Sequence, residues 1–185
     1  MKKSLIQFIT IIPLALLLCL TFSCQRQGEV GITEEEVQAI ADRVLEIWNE
    51  GNLDLIDELY APDYVRHYVD IYEDIVGIDA YKKWVTDTRT TYPDFTVIIE
   101  ETIFKDDKIV SKFKVTATNT GPLNTPFGEL PPTGKKIQFL GVTIMHIVDG
   151  KIIEDCIYFN QASVLQQLGF TFTPPQPPES PEEKK

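Results

Sequence analysis

Residues 136–160, KIQFLGVTIMHIVDGKIIEDCIYFN, constrain the fold more than any other stretch of this chain. Asp149-Gly150 separates two runs rich in Val, Ile, Phe, Tyr and Thr, and this dipeptide between such runs is the strongest short-range signal for a β-hairpin. His146 lies on the first arm, and Asn160 ends the second. The stretch therefore predicts two antiparallel strands that also carry the side chains best suited to chemistry.

The turn leaves two registers open, and they differ in which side chains share a face. With a two-residue loop, Val148 pairs with Lys151, and His146 lies on the face opposite to Asn160. With a three-residue loop that ends in a bulged, left-handed glycine, Ile147 pairs with Lys151 instead. His146 then shares a face with Asn160. A one-residue slip turns every side chain over, so the register decides whether the two can cooperate.

Helical patterns precede the strands. A capping box of Thr33 and Glu36 begins the first helix, whose apolar residues recur at the 3.6-residue period. A second, short helix is predicted to end before Pro62, and a third to run from Gly77 to before Pro93. We therefore expect a helical layer that is built from the first half of the chain.

Strand patterns dominate the second half of the chain. Residues 95–104 and 108–118 have strand-like patterns, and in the second segment apolar and polar side chains alternate, which predicts two strands. Residues 121–134 contain four prolines and predict a long loop, without strands, that borders a binding site. Residues 161–168 predict a closing helix, and the Pro- and Glu-rich residues 170–185 a disordered tail. Helices followed by antiparallel strands indicate an α+β domain, which we place at 33–169.

The N-terminal residues read as a targeting segment. Residues 1–23 combine two lysines with an apolar run and lead into Cys24, which resembles a bacterial lipoprotein signal. The resemblance implies cleavage before Cys24, lipidation of its thiol, a tether over residues 24–32 and a place in the cell envelope, where the lipid alone contacts the membrane. Ordinary secretion with an unmodified Cys24 is the alternative.

The charge of the chain narrows its partners. A formal net charge of -11 offers no cationic face for phosphates, so we expect no nucleic-acid partner. The sequence contains no metal-spaced cluster of Cys and His, so no metal site is expected, and it contains no phosphate-binding glycine loop. Cys156 inside an apolar strand is typical of a small core residue.

Three blocks of the sequence closely resemble the SnoaL-like polyketide cyclases, an ester cyclase-like family. They are LDLIDELYAPDYVRH, GIDAYKKWVTDTRTTYPDFTVIIEETI and PPTGKKIQFLGVTIMHIVDGKIIEDCIYFNQASVLQQLG. The resemblance implies a nuclear-transport-factor-2-like cone, in which helices pack on a strongly curved antiparallel sheet and leave a deep apolar pocket. It also implies a small-molecule ligand, cofactor-free acid–base chemistry and a homodimer.

The family's catalytic aspartate falls on Asn160 of this sequence, and its assisting histidine falls on His146. An amide has no proton-transfer equilibrium near neutrality, so Asn160 can orient a carbonyl but cannot abstract a proton. His146 is therefore the candidate acid/base, and Glu154 is held in reserve for the bulged register. Five further residues are candidates for ligand binding: Trp48, Tyr64, His67, Trp84 and Tyr158.

These expectations support three functions. The first is an envelope protein that binds a small, largely apolar, carbonyl-bearing molecule and cyclises or isomerises it. The second is a carrier that has kept the pocket and lost catalysis, which the amide at position 160 favours. The third is an interaction module with a vestigial pocket, since one fold serves many purposes.

Overall fold

The computed structural model describes residues 31–68, 73–125 and 128–173. The targeting segment, Cys24, most of the tether and the tail from residue 174 lie outside the described residues. The described part contains helices α1 (Glu34–Glu50), α2 (Asp54–Leu59), α3 (Ile78–Thr91) and α4 (Gln161–Leu168). Its strands are β1 (Tyr60–Tyr68), β2 (Ile75–Val76), β3 (Thr96–Lys105), β4 (Lys108–Thr118), β5 (Leu123–Thr125), β6 (Gly128–Leu130), β7 (Lys136–Val148) and β8 (Lys151–Phe159).

Helix α1 begins and ends where its sequence signals predict. The Thr33 hydroxyl accepts from the amide of Glu36, and the Glu36 carboxylate accepts from the amide of Thr33. Gly51 ends the helix with a left-handed φ of 81°. Both signals satisfy backbone groups that have no partner within the helix. The helix buries Val37, Ile40, Ile47 and Trp48 against the sheet.

A six-stranded sheet forms the second layer, in the order β2-β1-β8-β7-β4-β3. Strand β1 runs parallel to β8, and the other described pairs in the sheet are antiparallel. One face of the sheet packs against the helices and is hereafter the inner face. The opposite face is the outer face. The helices on one side of a curved, mostly antiparallel sheet confirm the predicted α+β cone.

The β7–β8 hairpin combines features of both predicted registers. Its turn has two residues, because Val148 pairs with Lys151, and Asp149 and Gly150 are both left-handed with φ of 51° and 75°. A bulge at position 153 then shifts the register, so that His146 pairs with Glu154. The alternative with the bulge in the turn is wrong, because the extra residue lies within β8.

The proline-rich segment 121–134 is not free of strands, contrary to the prediction. Three residues on each side of Pro126-Phe127 pair as β5 and β6, since neither strand contains a proline. Asn119 fixes the base of this segment: its side-chain oxygen accepts from the Thr133 amide at 2.8 Å, and its amide donates to the Gly121 carbonyl at 2.9 Å. Within the described ranges, no helix is long and apolar enough to cross a membrane.

Candidate functional site

A cavity of about 280 Å³ lies between the helices and the inner face of the sheet. Its wall is mainly apolar and aromatic, as is usual for sites that bind small molecules. Helix α1 contributes Trp48, α3 contributes Trp84 and the sheet contributes Phe113, Phe139 and Phe159. Residues of β5 and α4 complete the wall, so the proline-rich segment does border the cavity, as predicted.

A buried ion pair forms the polar end of this cavity. Arg66 on β1 donates from Nη2 to Asp155 Oδ2 at 2.6 Å and from Nε to Asp155 Oδ1 at 3.0 Å. The two side chains are 6% and 2% exposed, and both line the cavity. Two parallel donors of one guanidinium on one carboxylate form the strongest ion-pair geometry, and burial removes the screening by water.

Tyrosine hydroxyls surround the ion pair. Tyr64 donates to Asp155 Oδ1 at 2.7 Å, and Arg66 Nη2 donates to the Tyr81 hydroxyl at 3.2 Å. Burial raises the pKa of Tyr60, Tyr64 and Tyr81 above the ordinary value, so these hydroxyls keep their protons at neutral pH. The guanidinium also lies 4.6 Å from the centre of the Tyr81 ring. The positive charge is thereby stabilised by a carboxylate and an aromatic face together.

Tyr68 lines the cavity and lies two residues from Arg66 on β1. Burial raises the pKa of its hydroxyl, and the positive charge of Arg66 partly opposes this rise. Asp155 accepts from three donors, two on Arg66 and one on Tyr64, so most of its lone pairs are used within the protein. Such a site can orient a neutral carbonyl or hydroxyl group of a ligand at the end of an apolar cavity.

His146 and Glu154 do not lie in this cavity, contrary to the expectation for the bulged register. The bulge in β8 places them together on the outer face, while their neighbours Met145 and Asp155 face the cavity. His146 forms hydrogen bonds with Asp107 at 2.6 Å and with Glu154 at 3.3 Å. The hydrogen bond between His146 and Asp107 lowers the pKa of the Asp107 carboxyl. The imidazole therefore has its partners outside the cavity.

Asn160 also lies away from the cavity wall. Its side chain is the N-cap of α4 and accepts from the Ser163 amide at 2.9 Å. This hydrogen bond satisfies a backbone amide in the first turn of the helix, which is a structural role. The position where the family resemblance places a catalytic acid therefore begins a helix in this chain, and no geometry here lets it act with His146 on one ligand.

The five predicted ligand-binding residues divide between the two sides of the sheet. Trp48 and Trp84 line the cavity, and Tyr64 stands behind the wall as a donor to Asp155. His67 pairs with Asp74 at 2.9 Å, and Tyr158 is 43% exposed on the outer face. Neither of the last two is part of the described cavity wall.

Sequence reasoning missed the ion pair, although the sequence contains a signal for it. Tyr64, Arg66 and Tyr68 alternate along β1, which puts a charged side chain on an aromatic face. Adjacent Glu154 and Asp155 must point to opposite faces of β8, so one of them had to face inward. The bulge selects Asp155. In the described part of the chain, no group of three or more His, Cys, Asp and Glu side chains is arranged to hold a metal ion.

The layers and the cavity define a class: an α+β cone of the nuclear-transport-factor-2-like type with a mainly apolar pocket. The family model of the SnoaL-like polyketide cyclases matches residues 38–168. The chain therefore belongs to the SnoaL-like polyketide cyclase family. None of the curated proteins matches it.

Solved structures share this fold at low sequence identity. TsrD from Streptomyces laurentii is 20% identical with a TM-score of 0.65, and the match covers 75% of this chain and 98% of that chain. AclR from Streptomyces galilaeus is 24% identical with a TM-score of 0.63, covering 78% and 87%. An epoxide hydrolase of the LEH-like type from M. tuberculosis is 16% identical with a TM-score of 0.57, covering 72% and 90%.

Proposed function

We propose that this protein is an envelope lipoprotein that binds a small, largely apolar molecule bearing a carbonyl group. The apolar body of the ligand fills the cavity, and its carbonyl accepts from Tyr68 beside the Arg66–Asp155 pair. The observation that carries the proposal is the buried Arg66–Asp155 pair on a cavity wall that is mainly apolar and aromatic. A carboxylate ligand fits poorly, because Arg66 is already neutralised by Asp155.

Binding without catalysis is the favoured form of this function. Proton abstraction needs a base that is free to accept the proton, and Asp155 is held by a guanidinium and a tyrosine. His146, which sequence reasoning placed in that role, lies outside the cavity wall, and so does Asn160, the predicted carbonyl-orienting donor. Cofactor-free isomerisation or cyclisation is the second candidate, and it would use Asp155, the carboxylate that lines the cavity. Exchange of acidic protons on a bound ketone, lost in Asp155→Asn, would support catalysis.

A matched pair of ligands tests the binding function. We expect 2-acetylnaphthalene to bind more tightly than 2-ethylnaphthalene, which lacks the carbonyl, in calorimetric titrations of the mature protein. Tyr68→Phe should weaken binding of the ketone by about 5- to 10-fold, the contribution of one hydrogen bond, and leave the affinity for the hydrocarbon unchanged. Tyr158→Phe on the outer face is the control. The carbonyl site would be refuted if the wild type bound both compounds equally, or if Tyr68→Phe and Tyr158→Phe bound the ketone equally.

The envelope location is tested on the same preparation. The targeting segment and Cys24 support it by sequence resemblance alone. We expect the intact mass of the mature chain to include diacylglycerol on Cys24, and Cys24→Ser to release the protein from the membrane fraction. A mature chain without lipid mass would overturn the lipoprotein proposal and leave the binding site untouched.

We also propose that two copies associate through the outer face of the sheet. Ile98, Ile103, Leu140 and Tyr158 are 52%, 62%, 52% and 43% exposed there. Ile103, Val110, Ile144 and Cys156 follow one another across four paired strands. An apolar row of this kind on a twisted sheet is typical of a surface that another molecule covers.

A further inference from the structure

Asp87 is a carboxylate on the cavity wall that the carbonyl site does not use. It lies on α3 at the helical spacing that puts Trp84, Asp87, Thr88 and Thr91 on one face, and all four line the cavity. Among the described residues of the wall, the charged side chains are Arg66, Asp155 and Asp87. Since Arg66 and Asp155 neutralise each other, the cavity retains one negative charge.

Asp87 lies where the cavity wall meets solvent, because its side chain is 44% exposed. Its partner is Lys83, at 2.5 Å and one turn earlier on α3. Lys83 is 75% exposed, and exposed ion pairs contribute little to stability. The lysine also precedes the aspartate, which is the weaker order for a pair on a helix. Aspartate within a helix lowers helix propensity, so the residue is not explained by the stability of α3.

Aromatic rings stand beside this carboxylate. Trp84 precedes Asp87 by three residues, and its ring lies 5.4 Å from that of Tyr68, both on the cavity wall. Faces of Trp and Tyr attract cations, and the attraction grows when water is excluded. An alkylated ammonium group suits this setting better than a primary one, because its methyl groups reduce the cost of leaving water.

We propose that the ligand of this cavity carries an alkylated, cationic amine, which binds between Asp87 and the rings of Trp84 and Tyr68. The inference rests on the proposed binding function and extends it to a ligand with two polar ends.

An isosteric pair of probes isolates the charge. Benzyltrimethylammonium and 2,2-dimethylpropylbenzene have the same shape and differ in one nitrogen. We expect the wild-type protein to bind the cation about 10-fold more tightly, measured by quenching of the tryptophan fluorescence at low salt. Asp87→Asn should reduce that ratio to about one without changing the affinity of the neutral probe. Lys83→Gln should strengthen cation binding, because it removes a competing charge.

Asp79→Asn is the matched control, since Asp79 is exposed on the same helix and the substitution changes the net charge equally. The wild-type preference should persist in this variant. A preference that Asp79→Asn and Asp87→Asn reduce alike, or equal binding of both probes by the wild type, overturns the amine site. If 2-acetylnaphthalene also fails to bind, the proposed function itself is wrong; if it binds while the cation shows no preference, only the amine site is.

Discussion

At the scale of single residues, burying the Arg66–Asp155 pair costs free energy of desolvation and places a fixed dipole on the cavity wall. Both side chains are almost completely buried, and removing two charges from water is expensive even when they meet. Desolvation opposes the charge of Arg66, but Asp155 and the nearby tyrosines hold its pKa well above the ordinary value. The pair is therefore a fixed dipole in an apolar wall, and such a dipole can orient a ligand.

The free energy of unfolding should fall far more when one partner of the pair is removed than when both are replaced by apolar residues. Asp155→Asn leaves the guanidinium buried without a counter-charge and should lower the free energy of unfolding by about 3–5 kcal/mol. The double substitution Arg66→Met with Asp155→Leu should recover most of that loss. Urea denaturation monitored by circular dichroism measures both.

Asp57→Asn provides the comparison for that experiment. Asp57 pairs with Lys82 at 2.7 Å but is 53% exposed, so its loss should cost less than about 1 kcal/mol. A single variant at position 155 that is as stable as Asp57→Asn would contradict the assigned role of the buried pair.

At the scale of elements, the β7–β8 hairpin explains why the sequence predicts the fold better than the site. Alternation, the capping box and Asp149-Gly150 were sufficient for the layers, because each is a local signal. The bulge at position 153 has no such signal, and it decides that Asp155 rather than Glu154 faces the cavity. Long-range contacts also hold the hairpin and have no local signal in the sequence. For example, the ammonium of Lys151 donates to the backbone carbonyl of Asp57, near the end of α2, at 3.0 Å.

The connection between α3 and β3 predicts a measurable dependence on pH. Asp94 accepts from the amide and the hydroxyl of Thr118, each at 2.6 Å, and these hydrogen bonds lower the pKa of its carboxyl. A lowered pKa means that the folded state binds fewer protons, so this stabilisation is present above the unfolded pKa near 4 and is lost as pH falls through the folded value.

We therefore expect Asp94→Asn to be less stable than the wild type at pH 6 and to approach it at pH 2.5. Urea denaturation at both values measures the difference between the two proteins. Asp63→Asn, an exposed substitution on β1, should differ from the wild type by a small amount that is the same at both values. A constant deficit of Asp94→Asn across this range would assign its effect to packing instead of ionisation.

At the scale of the whole molecule, the two faces of one sheet have separate tasks. Side chains of one parity on β7 and β8, such as Thr143, Asp155 and Ile157, line the cavity. Those of the other parity, such as Ile144 and Tyr158, form the outer face. The family resemblance placed His146 in the pocket. In the structure, His146 lies on the outer face with Asp107 and Glu154, beside the apolar row. The other histidine, His67, lies on the same face and pairs with Asp74.

The outer face yields the prediction that concerns the assembled molecule. Leu140→Lys and Ile144→Lys should each place an ammonium on the outer face, and a desolvated, unpaired charge at an interface costs several kcal/mol. We expect the wild-type protein to have the mass of a dimer at about 10 μM in light scattering after gel filtration, and both variants that of a monomer. Phe172→Lys is the control, because Phe172 is 57% exposed and follows α4, outside the sheet. Since the cavity lies on the inner face of the sheet, the monomeric variants should bind 2-acetylnaphthalene as the wild type does. A monomeric wild type would refute the dimer, and loss of ligand binding in Leu140→Lys would show that the two faces are coupled.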